Sequence, residues 1–298
     1  MAFRPYLIEE ITRDCAAGAL TRREAIRRLG MLGVTGAAAA AMVAAAPVRA
    51  TASSGSTVPP TDAASGSTTP LEDGEEITFP GPDGELIGVY SAAVAPANGA
   101  VLVIHENRGL TPHIRTIPPR LAADGHSALA IDLLSAEGGT AGMSEGDAQA
   151  ALGNAPRERL VADMVAGLDE LERRNPDAEL AVIGFCFGGG MTWTLLDAGD
   201  PRIAAAVPFY GPLPEDADFS ASPNAAVLGI YAELDDFVNP TMDAAATALE
   251  TAGLEHELRT FEGVDHAFFN DTGARYDAEA ATQAYQAMLD WFGQHLAA

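Results

Sequence analysis

The chain contains no lysine: all 17 of its basic residues are arginine, against 42 aspartates and glutamates. The formal net charge is −25 at pH 7. A surface of this sign repels polyanions, which excludes nucleic acid and anionic membranes as expected partners. Two origins of the acidity stay open: a high-salt habitat, where dense carboxylates keep a protein hydrated, or the solubility bias of exported acidic proteins.

Cysteine is nearly absent, with only Cys15 and Cys186 in 298 residues. Because Cys15 falls in a segment that resembles a leader, the mature protein is expected to lack an intramolecular disulfide. Aromatic residues make up only 6% of the chain, but hydrophobic residues make up 48%. About 230 residues remain after the leader and linker, which suits one α/β domain with a sizeable core.

A long, strongly apolar run is also missing, since the run from Leu29 to Ala46 is short and rich in alanine. It follows the twin-arginine pattern Thr21-Arg22-Arg23-Glu24-Ala25-Ile26 and precedes the Ala-type cleavage site Val48-Arg49-Ala50. Residues 1–50 are therefore predicted to be a twin-arginine signal peptide with no stable membrane span. The export machinery becomes a partner, and the protein is expected to be periplasmic, wall-associated or extracellular. The alternative is an amphipathic helix that caps the domain.

Residues 51–70 are almost entirely Ser, Thr, Gly, Ala and Pro, which predicts a flexible linker before a catalytic domain at 71–298. Strand-like and helical runs alternate along that domain, which predicts an α/β fold with a mostly parallel sheet covered on both faces. An opening hairpin is expected, with strands at 77–79 and 85–94 on either side of the turn at 81–84. The predicted later strands are 100–104, 128–131, 180–183, 204–209, 225–231 and 257–261, and the predicted helices are 114–123, 157–174, 187–197, 241–251 and 278–295.

The segment AVIGFCFGGGM, at 181–191, has the pattern of a nucleophile elbow with cysteine in the place of serine. Such a turn needs small residues two before and two after the nucleophile, and Gly184 and Gly188 meet that need around Cys186. The following helix directs its N-terminus at the sulfur, where its amides favour a thiolate and a developing oxyanion. The plainer interpretation is a glycine-rich turn with a buried cysteine.

An acid and a histidine follow in the chain order of an α/β-hydrolase triad. Asp235 follows the predicted strand 225–231, and His266 follows the predicted strand 257–261. Open α/β sheets place their sites at the carboxyl ends of their strands. A cysteine thiol at neutral pH needs a base, and a carboxylate holds the imidazole in the right tautomer. Asp236 and Asp265 are the rival acids.

The sequence resembles the dienelactone hydrolase family from about Glu76 to Leu296. The motifs that carry the resemblance are IHENRGL at 104–110, ALAIDLLS at 128–135, GFCFGGG at 184–190, AELDDFV at 232–238 and VDHAFFNDTGARYD at 264–277. The resemblance implies an α/β-hydrolase fold with a Cys186, Asp235 and His266 triad.

It also implies that Glu106 meets the resting thiol and gives way to substrate. The backbone amides of Phe187 and Asn107 would form the oxyanion hole.

One departure concerns substrate recognition. Members of the family read a substrate carboxylate with arginines, one of them shortly after the triad histidine, where this chain has Ala267-Phe268-Phe269-Asn270. The diene-lactone substrate is therefore in question. Arg108 and Phe268 are the candidate substrate-binding residues, although a surface role for the first and a core role for the second are open. His105 and Glu106 lack further ligands at metal spacing, so neither a metal nor a cofactor is expected.

These observations predict a hydrolase that cleaves a small ester, lactone or thioester through an acyl-cysteine intermediate. A broad carboxylesterase is the enzymatic alternative, which the missing arginine favours. A non-catalytic exported binding protein is the alternative from another class, although such a role would not require thiol, acid and base at three strand ends.

The export prediction is tested by the double variant Arg22→Lys/Arg23→Lys. If the two arginines form the export signal, the variant should accumulate as full-length protein in the cytoplasm, whereas the wild type should yield mature protein beginning near Thr51. Fractionation and N-terminal sequencing measure both outcomes. Normal export of the variant would contradict the assignment.

Overall fold

The computed structural model describes residues 3–45, 74–94 and 97–296, and an eight-stranded sheet runs through its centre. The strand order is β1-β2-β4-β3-β5-β6-β7-β8. β2 pairs antiparallel with β1 and β4, and every pairing from β4 to β8 is parallel. The strands are β1 Glu75–Gly81, β2 Gly84–Ser91, β3 Ala100–Ile104, β4 Ser127–Asp132, β5 Leu180–Phe185, β6 Ile203–Phe209, β7 Ala226–Ala232 and β8 His256–Phe261.

The central strands are buried at every position, as β3 (AVLVI) and β5 (LAVIGF) show. Continuous apolar runs are typical of parallel strands covered by helices on both faces. The edge strand β8 is instead partly exposed along most of its length. The predicted α/β-hydrolase architecture and its opening hairpin are confirmed, although β2 ends at Ser91 rather than at Val94, whose side chain is exposed.

Helices surround the sheet, and α7 and α10 match their predicted bounds. The predicted helix 114–123 is instead two short helices, the second of which begins at a Pro-Pro pair. In the described ranges no helix combines the length and apolar character needed to cross a bilayer. The α-helices described are α1 Arg4–Ala16, α2 Arg22–Met31, α3 Gly36–Ala45, α4 Pro112–Arg115, α5 Ile117–Ala123, α6 Glu145–Asn154, α7 Arg157–Arg174, α8 Phe187–Ala198, α9 Met242–Ala252 and α10 Ala278–His295.

The N-terminal segment forms part of the folded structure. The sequence interpretation kept residues 1–50 outside the domain, whereas α1, α2 and α3 pack against one another, and α1 and α2 also pack against α6. Thr21 caps α2 by accepting a hydrogen bond from the backbone N–H of Glu24, so the twin arginines occupy the exposed first turn of a capped helix. The cleavage site at 48–50 and the linker at 51–70 lie outside the described residues.

The helix α6 is shaped to receive the N-terminal helices. A Cβ atom at Gly153 would stand 2.6 Å from Leu32 Cδ2 and 2.9 Å from Leu7 Cδ1, so a larger residue here would force these two side chains to shift. Arg28 is buried at the same contact and donates hydrogen bonds to Gln149 Oε1 at 3.0 Å and Glu145 Oε2 at 3.2 Å. The contact between the segment and the domain is therefore close-packed and charge-paired.

A glycine comparison tests the packing of the turn between β5 and α8. A Cβ at Gly184 would overlap the carbonyl oxygen of Gly188, whereas one at Gly293 in α10 would meet nothing within 4 Å. We expect Gly184→Ala to destabilise the protein by about 1–3 kcal/mol through overpacking. Gly293→Ala should be neutral or stabilise it by up to about 1 kcal/mol. Thermal unfolding measures both, and equal midpoints for the two variants would contradict this account.

Candidate active site

Cys186 occupies the sharp turn between β5 and α8. Its backbone has φ 57° and ψ −115°, a conformation that non-glycine residues rarely adopt. The turn is held by a hydrogen bond from the Cys186 N–H to the Phe209 carbonyl at 3.0 Å. Gly188 allows α8 to approach β3 so closely that a Cβ there would overlap the Ile104 carbonyl. The geometry is that of a nucleophile elbow with the thiol at the carboxyl edge of the sheet.

His266 and Asp235 meet directly at the same edge. Asp235 follows β7 closely, and its Oδ2 lies 2.6 Å from His266 Nδ1. The rival acid Asp265 instead accepts the backbone N–H of His266 at 2.7 Å. The imidazole Nε2 contacts the Tyr6 hydroxyl at 3.5 Å, and a ring nitrogen of His266 lies within 4.8 Å of Cys186 Sγ. Cys186, His266 and Asp235, the three residues of the predicted triad, therefore lie together at this edge.

The Asp235 carboxylate is fully buried but stays ionised. Burial opposes its charge, yet the neighbouring His266 and Arg13 outweigh burial and hold the pKa of Asp235 well below its usual range. Arg13 Nη1 donates to Asp235 Oδ1 at 2.8 Å, and the backbone N–H of Phe237 adds a third donor. An ionised Asp235 fixes the tautomer of His266 with the proton on Nδ1.

Two residues of α1, which sequence analysis did not place in the site, contact the thiol. The Tyr6 hydroxyl lies 2.9 Å from Cys186 Sγ and 3.5 Å from His266 Nε2. Glu10 Oε1 accepts a hydrogen bond from the thiol at 3.4 Å. The only signal in the sequence is the spacing of the buried positions in α1, which include Tyr6, Glu10 and Asp14 at intervals of four.

This environment keeps the thiol protonated. Burial raises the pKa of Cys186 well above its usual value, and the carboxylates of Glu10 and Glu106 raise it further. Hydrogen bonds from the Tyr6 hydroxyl and the Phe187 backbone N–H lower it by less. Burial also raises the pKa of Glu10 above its ordinary value.

The carboxylate nearest the thiol differs from the one that the family resemblance implies. Glu106 Oε2 accepts a hydrogen bond from Asn270 Nδ2 at 2.6 Å, and the carboxylate that contacts Sγ is that of Glu10. The side chain of Asn107 also binds the Glu10 carboxylate, since its Nδ2 donates to Glu10 Oε2 at 2.5 Å. The loop after β3 thus lies at the site, with Glu106 acting on the thiol through its charge.

Arg108 and a second arginine contact α1. Arg108 lies 3.8 Å from Asp14 and 3.4 Å from Glu145, and Arg275 Nη2 donates to Asp14 Oδ1 at 3.3 Å. Arg275 lies nine residues after His266, so an arginine does stand at the edge of the site despite its absence from 267–270. Both arginines are paired with Asp14 in this arrangement.

Aromatic rings surround the imidazole, but Phe268 is one layer removed from it. Phe268 is fully buried, with its ring centroid 5.5 Å from Phe261 and 5.6 Å from Tyr210. The ring of Tyr210 contacts His266 at 5.1 Å. Phe268 therefore packs in the core and supports Tyr210, and the structure does not bring it to the thiol as a substrate-binding residue.

A mostly apolar cavity of about 260 Å³ lies against the other side of Tyr6. Phe237 forms one wall, and its ring centroid lies 5.3 Å from that of Tyr6. Leu213 and Pro212 line the wall next to α8, whose Thr194 also faces the cavity. An apolar space of this size suits a small hydrophobic ligand group.

The dienelactone hydrolase family model matches residues 87–296. The chain belongs to the dienelactone hydrolase family. A protein of Escherichia coli O157:H7 named "Putative carboxymethylenebutenolidase" is 31% identical to it over 228 residues, covering 71% of this chain and 84% of the relative. A protein of the same name from Methylorubrum extorquens is 30% identical over 238 residues, covering 74% and 80%.

Solved structures of the dienelactone hydrolase family have the same fold. A crystal structure described as a "Putative Dienelactone Hydrolase" from Klebsiella pneumoniae superposes with a TM-score of 0.64 at 29% identity. A dienelactone hydrolase-like promiscuous phosphotriesterase from metagenomic libraries gives the same TM-score at 25% identity. Each match covers 74% of this chain and 98% of the other. This member of the family is a dienelactone hydrolase-like hydrolase.

Three side chains that could bind a metal ion meet at the thiol. Ligand atoms of Glu10, Cys186 and His266 lie within 4.8 Å of one another. Cys186 and His266 are also the predicted nucleophile and base, so a metal held there would compete with the predicted thiol chemistry. His105 offers no free ring nitrogen, because Nδ1 contacts the Glu106 carbonyl and Nε2 accepts the Leu133 N–H.

Substitution of the two acids near the imidazole separates their roles. Asp235→Asn should lower ester turnover by on the order of 10³–10⁴-fold, because the imidazole loses its fixed tautomer and its stabilising charge. Asp265→Asn removes a charge but keeps an oxygen that can accept the His266 backbone N–H, and it should cause a far smaller loss. Hydrolysis of an aryl ester by the protein beginning at residue 71 measures both. A larger loss in Asp265→Asn would make Asp265 the acid of the triad.

Proposed function

We propose that the chain hydrolyses a small ester, lactone or thioester through an acyl-cysteine intermediate. The observation that carries this proposal is the convergence of the Cys186 elbow with His266, whose Nδ1 is held by the buried Asp235. The match to the dienelactone hydrolase family over residues 87–296 gives the reaction class.

In the first half-reaction His266 Nε2 takes the thiol proton and the sulfur of Cys186 attacks the substrate carbonyl carbon. A C–S bond forms, and the carbonyl electron pair moves to the oxygen. When this oxyanion collapses, the bond to the leaving group breaks, and His266 returns the proton to the departing oxygen or sulfur. Asp235 stabilises the imidazolium that exists between the two proton transfers.

In the second half-reaction water cleaves the acyl-cysteine. His266 takes a proton from the water, whose oxygen attacks the thioester carbonyl carbon. The C–S bond then breaks, the carboxylic acid is released, and the proton returns to the sulfur of Cys186. The net reaction consumes one water and requires no metal or cofactor.

The oxyanion is proposed to bind to the backbone N–H groups of Phe187 and Asn107. Phe187 is the first residue of α8, so the partial positive charge of the helix N-terminus adds to its N–H. Asn107 lies on the loop after β3, across the thiol from α8. Glu106 is proposed to tune the thiol, because its carboxylate raises the pKa of Cys186 while Asn270 holds it in place.

The preference between a lactone and a broad range of esters depends on the groups around the thiol. Two relatives are named as carboxymethylenebutenolidases, which suggests a lactone. A broad carboxylesterase is favoured instead by the absence of an arginine from residues 267–270, directly after His266. Both candidates share the acyl-cysteine route.

Export by the twin-arginine route is proposed for the location of this activity. Arg22 and Arg23 are exposed at the start of α2, where a receptor has access to both. This route carries folded proteins, which accords with a catalytic cysteine that has no disulfide to form.

Removal of the nucleophile tests the acyl-cysteine proposal. Cys186→Ala should lower turnover by on the order of 10⁴–10⁶-fold. Cys186→Ser should recover little, because a hydroxyl is far harder to deprotonate than a thiol. Rapid mixing with an aryl ester followed by intact-mass measurement should trap an acyl adduct in the wild type alone. Unchanged hydrolysis in Cys186→Ala would exclude the mechanism.

Glu106→Gln tests the tuning role within the same site. The variant removes a charge that raises the thiol pKa, so the alkylation of Cys186 by iodoacetamide should reach half its maximal rate at a lower pH. Glu76→Gln, at an exposed position on β1, is the matched control and should leave the profile unchanged. An unaltered profile in Glu106→Gln would restrict Glu106 to holding Asn270.

A further inference from the structure

The helix α1 closes the active site. The exposed fractions of Cys186, His266 and Asp235 are 2%, 2% and 0%. Tyr6 and Glu10 lie directly against the thiol and are themselves almost fully buried. A substrate carbonyl must reach within van der Waals contact of Cys186 Sγ before attack, and these two side chains fill that space.

The Tyr6 hydroxyl contacts both the thiol and the imidazole that perform the proposed chemistry. It is 2.9 Å from Cys186 Sγ and 3.5 Å from His266 Nε2, so it contacts both the proposed nucleophile and the proposed base. Direct proton transfer from thiol to imidazole requires the two atoms to be in hydrogen-bond contact. The docked Tyr6 therefore occupies a hydrogen-bond contact of both the thiol and the imidazole, which direct proton transfer would need to be free.

Glu10 places a carboxyl group where the reaction releases one. Its Oε1 lies 3.4 Å from the thiol, and its Oε2 accepts from Asn107 Nδ2 at 2.5 Å. Hydrolysis of an acyl-cysteine leaves a carboxylic acid next to the same sulfur. The Glu10 side chain is thus arranged like a reaction product that the chain itself supplies.

Charged side chains further along α1 hold it in this position. Arg13 pairs with Asp235 at 2.8 Å and with Asp265 at 3.3 Å, and so attaches to the acid of the triad and to the neighbour of its base. Asp14, one residue later, pairs with Arg275 and Arg108 on the rim of the site. Basic and acidic groups of α1 both find partners in a domain that is otherwise strongly acidic.

The covering helices also lie outside the part of the chain that defines the family. The family match begins at residue 87, and the Klebsiella pneumoniae structure is covered to 98% while matching 74% of this chain. The catalytic fold therefore forms in relatives from a chain about three quarters as long as this one. Residues 3–45 are an addition packed over a site that the fold completes without them.

We propose that α1 is a tethered occupant of the substrate site, which keeps the hydrolase latent until the chain is cut between Ala45 and Gly74. This inference rests on the proposed hydrolase function for its activity readout but not for its structural readout. Residues 1–50 are predicted from the sequence to be a signal peptide, and its removal during export would make this cut. Activation would then follow export.

The competing account is that α1 completes the catalytic machinery, with Tyr6 relaying a proton from thiol to imidazole. The two accounts predict opposite effects of removing α1. A relay makes the separated domain slower, whereas a tethered occupant makes it faster. The closed site favours the occupant, because a relay must leave the carbonyl of the substrate a path to the sulfur.

The first test cuts the full chain after it has folded. A recognition sequence for a site-specific protease is inserted after Pro60, and alkylation by iodoacetamide is followed by peptide mass spectrometry before and after cutting and dilution. If the docked form is about 99% populated, labelling of Cys186 and hydrolysis of an aryl ester should each rise about 100-fold. Protein with a scrambled recognition sequence, treated with the same protease, is the control.

Paired substitutions in the uncut chain test the same contact. Tyr6→Ala/Glu10→Ala removes both side chains that fill the site and should increase labelling and hydrolysis. The control is Pro5→Ala/Glu9→Ala, which changes the exposed residues directly before Tyr6 and Glu10. It should leave Cys186 labelling unchanged. Gly153→Leu changes α6, the helix against which the N-terminal helices pack, and its side chain would clash with Leu32. This variant should increase Cys186 labelling in the uncut chain. It should have no further effect after cutting and dilution, because α1 has then already left the site.

The outcomes separate this inference from the proposed function. Faster Cys186 labelling after cutting, without hydrolysis in any form, would support the tethered occupant and reject the hydrolase. Equal labelling before and after cutting would overturn the occupant, whatever the activity. A fall in hydrolysis on cutting or in Tyr6→Ala/Glu10→Ala would overturn it in favour of the relay.

Discussion

The turn at Cys186 is the constraint on which the rest of the site depends. A non-glycine residue held at φ 57° and ψ −115° stores strain of about 1–3 kcal/mol, which persists only where the surroundings enforce it. Here the enclosing strands are buried at every position, and α8 lies so close to β3 that only glycine fits at Gly188. The strained turn fixes the direction of the thiol, and the parallel strand ends bring His266 and Asp235 to it.

Burial and the neighbouring charges together shift the pKa values of Cys186 and Asp235 away from their usual ranges. A buried thiol next to carboxylates is held in its neutral form, while a buried Asp235 is kept ionised by the cation beside it and by its contact with the imidazole. The same low-polarity surroundings therefore favour opposite states in two residues, according to the charge of their neighbours. Because α1 supplies Tyr6, Glu10 and Arg13, the electrostatics of the site belong jointly to the domain and to the N-terminal segment.

The catalytic elements could be predicted because their signals are local. Gly184, Cys186 and Gly188 carry the elbow within five residues, and the apolar strands that end near Asp235 and His266 are evident in the sequence. The contacts of Glu10 and Tyr6 join residues 176 and 180 positions apart, and no local pattern specifies such pairs.

Local patterns were also ambiguous or missed. Thr21 to Glu24 fits an export motif and a helix capping box equally well, and the structure shows that it caps α2. The helix α6 was missed although Ser144 and Asp147 form a recognisable cap at its start. Phe268 was placed at the site because aromatic residues near a catalytic histidine serve both the pocket and the core, and sequence alone does not separate the two.

The 28 residues between Ala45 and Gly74 join the N-terminal helices to the domain. This covalent connection sets the effective concentration of α1 at the site that it closes. A segment joined to its own binding site competes as though it were present at about millimolar concentration, however dilute the protein is. A free substrate must exceed that competition, so an intact chain stays closed at any protein concentration. Once the connection is broken, the same helices compete only at the concentration of the protein itself, and dilution alone is enough to open the site.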